Sequence, residues 1–345
     1  MAATIEITGA MTGPTAYDNA IMPWLPSLED VLRARKALSG LLPRTPLMPV
    51  PALSEKFGFN LWLKLETLLP TGAFKVRGGV FLVSLLPDAL KRRGVVTAST
   101  GNHGQSIAYA AGSAGVEATI FVPVGANEVK VASMQRLGAK VEFAGNDFFE
   151  TTRAAEAYVA ESGAYYVHPA NEPALIAGVG TYSLEIIEDL PETDALFVPI
   201  GGGSGLSGAS IAAKAIKPSL RLIGVQSVGA PISVESWRAR TLLKGDRIDT
   251  FAEGIATREA FDLPSKVFWD RVDDMALVSD TDLKRSMLTI MSYARVVAEG
   301  AGAAALAAAY LSRDELRGQN VVCVVSGGNV TFEALKHIVN EEQPW

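Results

Sequence analysis

Ala195-Leu-Phe-Val-Pro-Ile-Gly-Gly-Gly-Ser-Gly-Leu-Ser-Gly-Ala209 passes from strand-like to helix-like spacing through a turn that is almost all glycine. Residues 195–200 are a short apolar run of strand length, and from Leu206 to about Lys217 the apolar positions take helical spacing. A strand that feeds a helix through a tight turn is half of a β-α-β unit, so this stretch predicts a parallel sheet covered by helices. With no side chains in the way, the loop amides and the positive end of the helix dipole make a cradle for an anion such as phosphate. The loop also holds G-x-G-x-x-G at Gly203, Gly205 and Gly208, which raises a dinucleotide as an alternative. That fingerprint requires an acid about 20 residues further on, at the end of the next strand. Gln226 stands there, with Ser227 beside it, and neither is a carboxylate. A nucleoside triphosphate fits less well, since no Gly-Lys-Ser/Thr follows. Taken alone, the loop leaves a phosphate site, a dinucleotide site and a plain turn open.

The alternation continues on both sides. Ser27-Leu-Glu-Asp30 reads as a capping box opening a helix that closes near Ser39-Gly40. Pro43–Pro51 is extended, and Leu61–Leu65 alternates as a strand. Strands at Val95–Ala98 and Ala118–Val122 flank a helix near Gln105–Ala114, which completes another β-α-β unit. A helix follows over Glu128–Leu137, ended by Gly138, then a strand at Lys140–Phe143 and a helix through Arg153–Glu161. Beyond the glycine loop come a strand at Leu220–Val225, a long helix from about Asp282 to Val297, and a strand at Val321–Val325. The chain is read as an N-terminal arm (1–26), a large lobe (27–92 with 171–345) and a small lobe (93–170).

Composition narrows the class. The 345 residues are 48% hydrophobic and 20% charged, with 32 glycines and 18 prolines, which excludes collagen-like, coiled-coil and disordered chains. At about 150 residues per domain, two domains or one large α/β unit are expected. A net charge of −6 argues against nucleic acid and anionic membranes as partners. The apolar stretch Ala301–Leu311 is shorter than the about 20 residues a membrane span needs. The first basic residue is Arg33 and Cys323 is the single cysteine. No targeting signal or disulfide framework is therefore read, and a cytoplasmic location is expected.

Three further clusters follow strands. Leu69-Pro-Thr-Gly-Ala-Phe-Lys-Val-Arg-Gly-Gly79 sets Lys75 at a helix start among small and apolar neighbours. Burial and the dipole both lower a lysine's pKa there, as a Schiff-base lysine requires, although a lone lysine is ordinarily exposed. Ala98-Ser-Thr-Gly-Asn-His-Gly-Gln105 brings Ser99, Thr100, Gly101, Asn102 and His103 to a helix N-terminus, which suits a carboxylate or a ring hydroxyl and equally suits a simple cap. Val324-Val-Ser-Gly-Gly-Asn-Val330 ends the last strand with Ser326, and by itself reads as a turn. His103, His168 and His337 have no zinc spacing. No G-x-S-x-G elbow surrounds Ser204 or Ser207, and Cys323 reads as a core residue.

These four motifs, in this order from Ser27 to Val330, resemble the fold-type II pyridoxal-phosphate enzymes, and within them the threonine/serine dehydratase and serine racemase family. The resemblance implies a two-lobed α/β fold like tryptophan synthase β, with open, parallel-rich sheets covered by helices. It makes Lys75 the Schiff-base and catalytic lysine, with Phe74 packed on the cofactor ring. Asn102 would bond the ring hydroxyl, while Gly201, Gly202, Gly203, Ser204 and Gly205 would cradle the phosphate. Ser326 would face the pyridine nitrogen as a neutral partner, which suits β-elimination. Gly254 and Glu299 match pocket-lining positions. Ser99, Thr100, Gly101, Asn102 and His103 would receive the substrate carboxylate. The implied reaction takes a small amino acid such as L-threonine or L-serine, removes the Cα proton with Lys75, expels the β-hydroxyl and yields a 2-oxo acid and ammonia. A homodimer is usual for the family.

The sequence departs from that pattern at several places. Ala73 replaces the family's serine before Phe-Lys, and Thr100 stands where racemases carry a serine that serves as acid and base on the face opposite the lysine. Elimination is therefore favoured over racemisation, with the racemase kept as the alternative. Ala73, Thr100 and Ala170 allow a larger or acidic 3-hydroxy amino acid as a further alternative, and a Rossmann oxidoreductase is the remote one. The family's cation carboxylates align with Gln226 and Ile232, so no bound metal is expected there. The short chain beyond Val330 leaves no room for a regulatory domain, and inhibition through one is not expected.

Overall fold

A computed structural model describes residues 24–345 and the backbone of Glu6–Ile7. Most of the arm expected over 1–26 lies outside the described residues; Glu6–Ile7 pairs antiparallel with Leu243–Lys244.

Two sheets carry the fold. The larger has six strands in the order Asp274–Val278, Arg221–Ser227, Ala195–Pro199, Asn320–Val325, Asn60–Leu65 and Leu47–Pro49. All neighbours are parallel except Leu47–Pro49, which runs antiparallel on the edge. The smaller has four parallel strands in the order Lys140–Phe143, Ala118–Val122, Val95–Ala98 and Tyr165–Tyr166. The central strands 95–98, 118–122 and 195–199 are buried along their whole length, as parallel strands covered on both faces must be. Cys323 is wholly buried in the large sheet, and burial pushes its thiol pKa up.

Close helix packing sets the position of Lys75. The helices Lys75–Leu85, Pro173–Asp189 and Ser204–Ile216 meet through glycines: a Cβ on Gly178 would lie 2.7 Å from Arg77 O, and one on Gly208 would lie 2.6 Å from Gly180 N. Only residues without side chains let the backbones approach this closely. Gly300–Leu311 is a helix of alanine, glycine and leucine buried almost all round in the core under the large sheet. Among the described residues no helix is long and apolar enough to cross a membrane.

The helix expected to reach Val297 stops earlier. Regular α-helix covers Asp280–Thr289, a π-helical turn follows over Ile290–Ala294, and Arg295 takes a left-handed conformation with φ 60°. The apolar spacing continues through Val296 and Val297. The chain nevertheless unwinds so that Glu299 N can donate to Gly327 O at 3.0 Å. This tertiary bond brings Glu299 to the end of the last strand.

Candidate active site

The site forms where strands of both sheets end. Lys75 opens its helix, with Phe74 as the preceding cap. Phe74 N donates to Ser326 O at 3.0 Å, and Ala73 bridges to Gly327, so the lysine segment is tied to the loop after the last strand. Lys75 Nζ donates to Ser204 Oγ at 3.1 Å and Pro169 O at 3.5 Å, and lies 5.5 Å from the Phe74 ring centroid. Desolvation without a compensating carboxylate lowers its pKa to about 8.

The glycine loop opens the helix Ser204–Ile216, with Gly203 at the cap position and φ 93°. Every Cβ position in it is contested: Gly201 faces Gly254 O, Gly202 meets Ala170 Cβ at 3.2 Å, Gly203 meets Pro264 Cβ at 2.7 Å, and Gly205 meets the Phe74 ring at 3.2 Å. No side chain caps the helix, so the first-turn amides stay open to an anion. Phe74, Tyr182, Gly205 and Ser326 line a narrow, half-open crevice beside the loop. Tyr182 donates from its hydroxyl to Gly205 O at 2.8 Å, and its ring meets Phe74 edge-on.

The third motif is braced by Ser99. Its Oγ accepts from Gly104 N at 3.1 Å and Gly101 N at 3.3 Å, which holds the turn into the helix Asn102–Ser113. The space around Gly101 is open, since a Cβ there would meet nothing within 4 Å. The His103 ring turns away from solvent: Nε2 lies 3.0 Å from Thr97 Oγ1 and 3.3 Å from Val167 O. Val167 O only accepts, so Nε2 carries the proton. Burial, with Lys75 as a second cause, lowers the His103 pKa to about 3, and the ring is neutral.

Asn102 Nδ2 donates to Glu299 Oε1 at 2.6 Å, and burial raises the Glu299 pKa. Gly254 packs beneath Gly201, with its own Cβ position 2.7 Å from Ala301 Cβ. Of the residues singled out from the sequence, Lys75 thus meets Ser204, Phe74 meets Ser326 and Gly205, Gly201 meets Gly254, and Asn102 meets Glu299. Sequence reading passed over Asn329, Tyr182 and the ion pair Lys130–Glu253, which joins the helix Glu128–Arg136 to the turn holding Gly254. Only Asn329 had a signal, because it stands in the quoted motif after Ser326. Gln226 is buried, and its Oε1 accepts from Ser233 N and Val234 N at the start of the helix Ile232–Ala239. Among the described residues no three His, Cys, Asp or Glu side chains are grouped to hold a metal.

A part-buried, desolvated lysine beside a glycine-walled loop of uncapped amides, in a parallel α/β frame, suits an enzyme that holds a phosphorylated carbonyl cofactor. The contested Cβ positions and open amides of the loop, with Lys75 Nζ at its edge, fit pyridoxal phosphate. The family model "Pyridoxal-phosphate dependent enzyme" matches residues 38–327, and the chain belongs to that family. Its fold is fold-type II. The chain is 39% identical over 315 residues to the L-threonine ammonia-lyase of Thermotoga maritima, covering 91% of this chain and 78% of that one. It is 33% identical to the catabolic L-threonine dehydratase TdcB of Escherichia coli K12, covering 90% and 95%. The structure of maize serine racemase superposes with a TM-score of 0.87 at 32% identity, covering 92% and 98%.

Proposed function

We propose that this chain is a pyridoxal-phosphate-dependent ammonia-lyase that converts L-threonine or L-serine to the 2-oxo acid and ammonia. The reading is carried by the setting of Lys75, a desolvated amine 3.1 Å from Ser204 Oγ, in a chain 39% identical to a curated L-threonine ammonia-lyase. When bound, the cofactor supplies a carbonyl that accepts amines and an electron sink for the bonds at Cα. Gly201, Gly202, Gly203, Ser204 and Gly205 would hold its phosphate, Phe74 its ring face, Asn102 its ring hydroxyl and Ser326 its ring nitrogen, with Gly254 and Glu299 closing the pocket. The loop Ser99-Thr100-Gly101-Asn102-His103 receives the substrate carboxylate at a helix N-terminus, where amides and dipole favour an anion. His103 contributes there through its backbone, since its ring is engaged with Thr97 and Val167. Lys75 takes the proton from Cα, a role its lowered pKa supports. The β-hydroxyl leaves with a proton as water, and hydrolysis of the released enamine takes up one water and frees ammonia, so that the net products are the 2-oxo acid and ammonia.

A racemase on the same scaffold is the second reading. The Thr100 side chain, part-buried at the carboxylate loop, is the group that would act on the other face. Enantiopure L-threonine and L-serine are incubated with the holoenzyme, and 2-oxo acid, ammonia and both enantiomers are measured. Stoichiometric 2-oxo acid and ammonia are expected; racemisation without ammonia would overturn the lyase. A panel of larger and acidic 3-hydroxy amino acids in the same assay fixes the side-chain preference. Residues 93–170 are proposed as the small lobe and 27–92 with 171–345 as the large one, supported by the second sheet lying wholly between Val95 and Tyr166. A homodimer is inferred from the family resemblance alone.

A further inference from the structure

Asn329 touches two of the other motifs at once. Its Nδ2 donates to Thr71 O at 2.8 Å, in the segment leading to Lys75, and to Asn102 Oδ1 at 2.7 Å. Asn102 Nδ2 in turn donates to Glu299 Oε1 at 2.6 Å. The two ends of this chain, a peptide carbonyl and a carboxylate oxygen, act as acceptors, so the direction of both amides between them is determined. Asn329 must present nitrogen to Thr71, and that nitrogen meets the oxygen of Asn102. Asn102 must then present nitrogen to Glu299. Its carboxamide is held at both ends and keeps one N–H without a partner among the described residues.

The surrounding glycines leave room for this arrangement and for little else. A Cβ on Gly72 would lie 2.7 Å from Asn329 Oδ1. One on Gly327 would collide with Glu299 Oε1 and come within 3.2 Å of Asn102 Nδ2. The remaining bonds between the lysine segment and the last loop, Gly328 N to Gly72 O at 2.9 Å and Phe74 N to Ser326 O at 3.0 Å, do not involve the Asn329 side chain. Loss of that side chain therefore leaves the lysine segment pinned while freeing Asn102.

We propose that Asn329 is a positioning residue that, together with Glu299, clamps the Asn102 carboxamide so that its one free N–H is directed as a donor to the cofactor's ring oxygen. The inference rests on the placement of Asn102 at the cofactor ring proposed above. An unclamped amide rotates about its last bond and offers oxygen as readily as nitrogen; the clamp removes that choice before the cofactor arrives.

A double-mutant cycle tests it, with Asn102→Ala, Asn329→Asp and the double variant. Asn329→Asp keeps the size of the side chain and removes both donors; Asn329→Leu repeats the test if the aspartate variant does not fold. The readouts are the dissociation constant of pyridoxal phosphate and the absorption spectrum of the bound cofactor as a function of pH. Each single variant is expected to weaken cofactor binding about tenfold, the scale of one hydrogen bond. The double variant is expected to be no weaker than Asn102→Ala alone, because Asn329 acts through Asn102. The spectral pH midpoint should shift equally in all three. Losses that multiply to about a hundredfold would overturn the clamp while leaving Asn102 at the ring. A silent Asn102→Ala would overturn the placement of Asn102 itself, and the clamp with it.

Discussion

Gly203→Ala is the sharpest test of the proposed phosphate cradle. Two independent penalties meet at this residue. Its φ of 93° is one that residues with a Cβ seldom adopt, at a cost of about 1 to 2 kcal/mol. The new Cβ would also lie 2.7 Å from Pro264 Cβ and 3.3 Å from Phe268 Cε1, where carbon atoms prefer about 3.5 to 4.0 Å. Overpacking of that kind costs about 1 to 3 kcal/mol. The total, about 2 to 5 kcal/mol, appears as lost stability if the loop keeps its shape. If the loop moves instead, its amides leave the phosphate, and cofactor binding weakens by about 30-fold to a few thousandfold. Titrating the apoprotein with pyridoxal phosphate and following the unfolding midpoint with and without cofactor captures both routes. Gly202→Ala is the control, because its φ is not positive and its Cβ would come no closer than 3.2 Å to Ala170 Cβ, with the Phe261 ring at an ordinary 3.6 Å. It should lose less than half as much. Wild-type affinity together with a wild-type midpoint in Gly203→Ala would refute the reasoning, as would equal damage from the control.

Other perturbations have equally definite signs. If Lys75 is the reacting amine as proposed, the rate at which apoprotein captures pyridoxal phosphate should rise with pH through about 8 and then level; a continued rise toward about 10.4 would mark a solvated lysine. Arg77→Ala removes the guanidinium that bonds Glu66 at 2.7 Å and Glu185 at 2.7 Å, and leaves two buried carboxylates with Lys64 alone; unfolding should be easier by about 3 to 5 kcal/mol, measured by denaturant titration. Burial raises the Glu172 pKa to about 7, so its stabilising contribution is complete below about 4.5 and is lost as pH rises through 7. Glu172→Gln should match the wild type in unfolding midpoint at pH 4.5 and exceed it at pH 8, by up to about 3 kcal/mol; the same offset at both pH values would show that the carboxyl does not titrate there.

Much of the frame is legible in the chain because parallel α/β folds repeat a short local pattern. Strands at Val95–Ala98, Ala118–Val122 and Lys140–Phe143 fall where alternation and apolar runs place them. The helix Leu28–Leu38 starts at the capping box Ser27/Asp30. The helix Pro173–Asp189 lacked such a signal. It is buried on nearly every side, so no polar stripe marks its period. The stop after Ala294 was hidden for a different reason: the local apolar pattern favours more helix, and a bond to Gly327, far along the chain, overrides it.

By itself the sequence determined the class of fold, a lysine opening a helix among small and apolar neighbours, and a glycine loop between a strand and a helix. Those features depend on residue type within a few positions of a strand end, where backbone freedom and dipoles act locally. Only the tertiary structure decided which way Asn102 points and which ring nitrogen of His103 carries its proton. It also decided that Arg77, Glu66, Glu185 and Lys64 share one buried cluster. Asn102 meets partners 197 and 227 residues away, and hydrogen bonds over such separations leave no period or spacing in the sequence. They exist because folding removes these groups from water, and a buried polar group must then be paired by whatever the fold brings beside it.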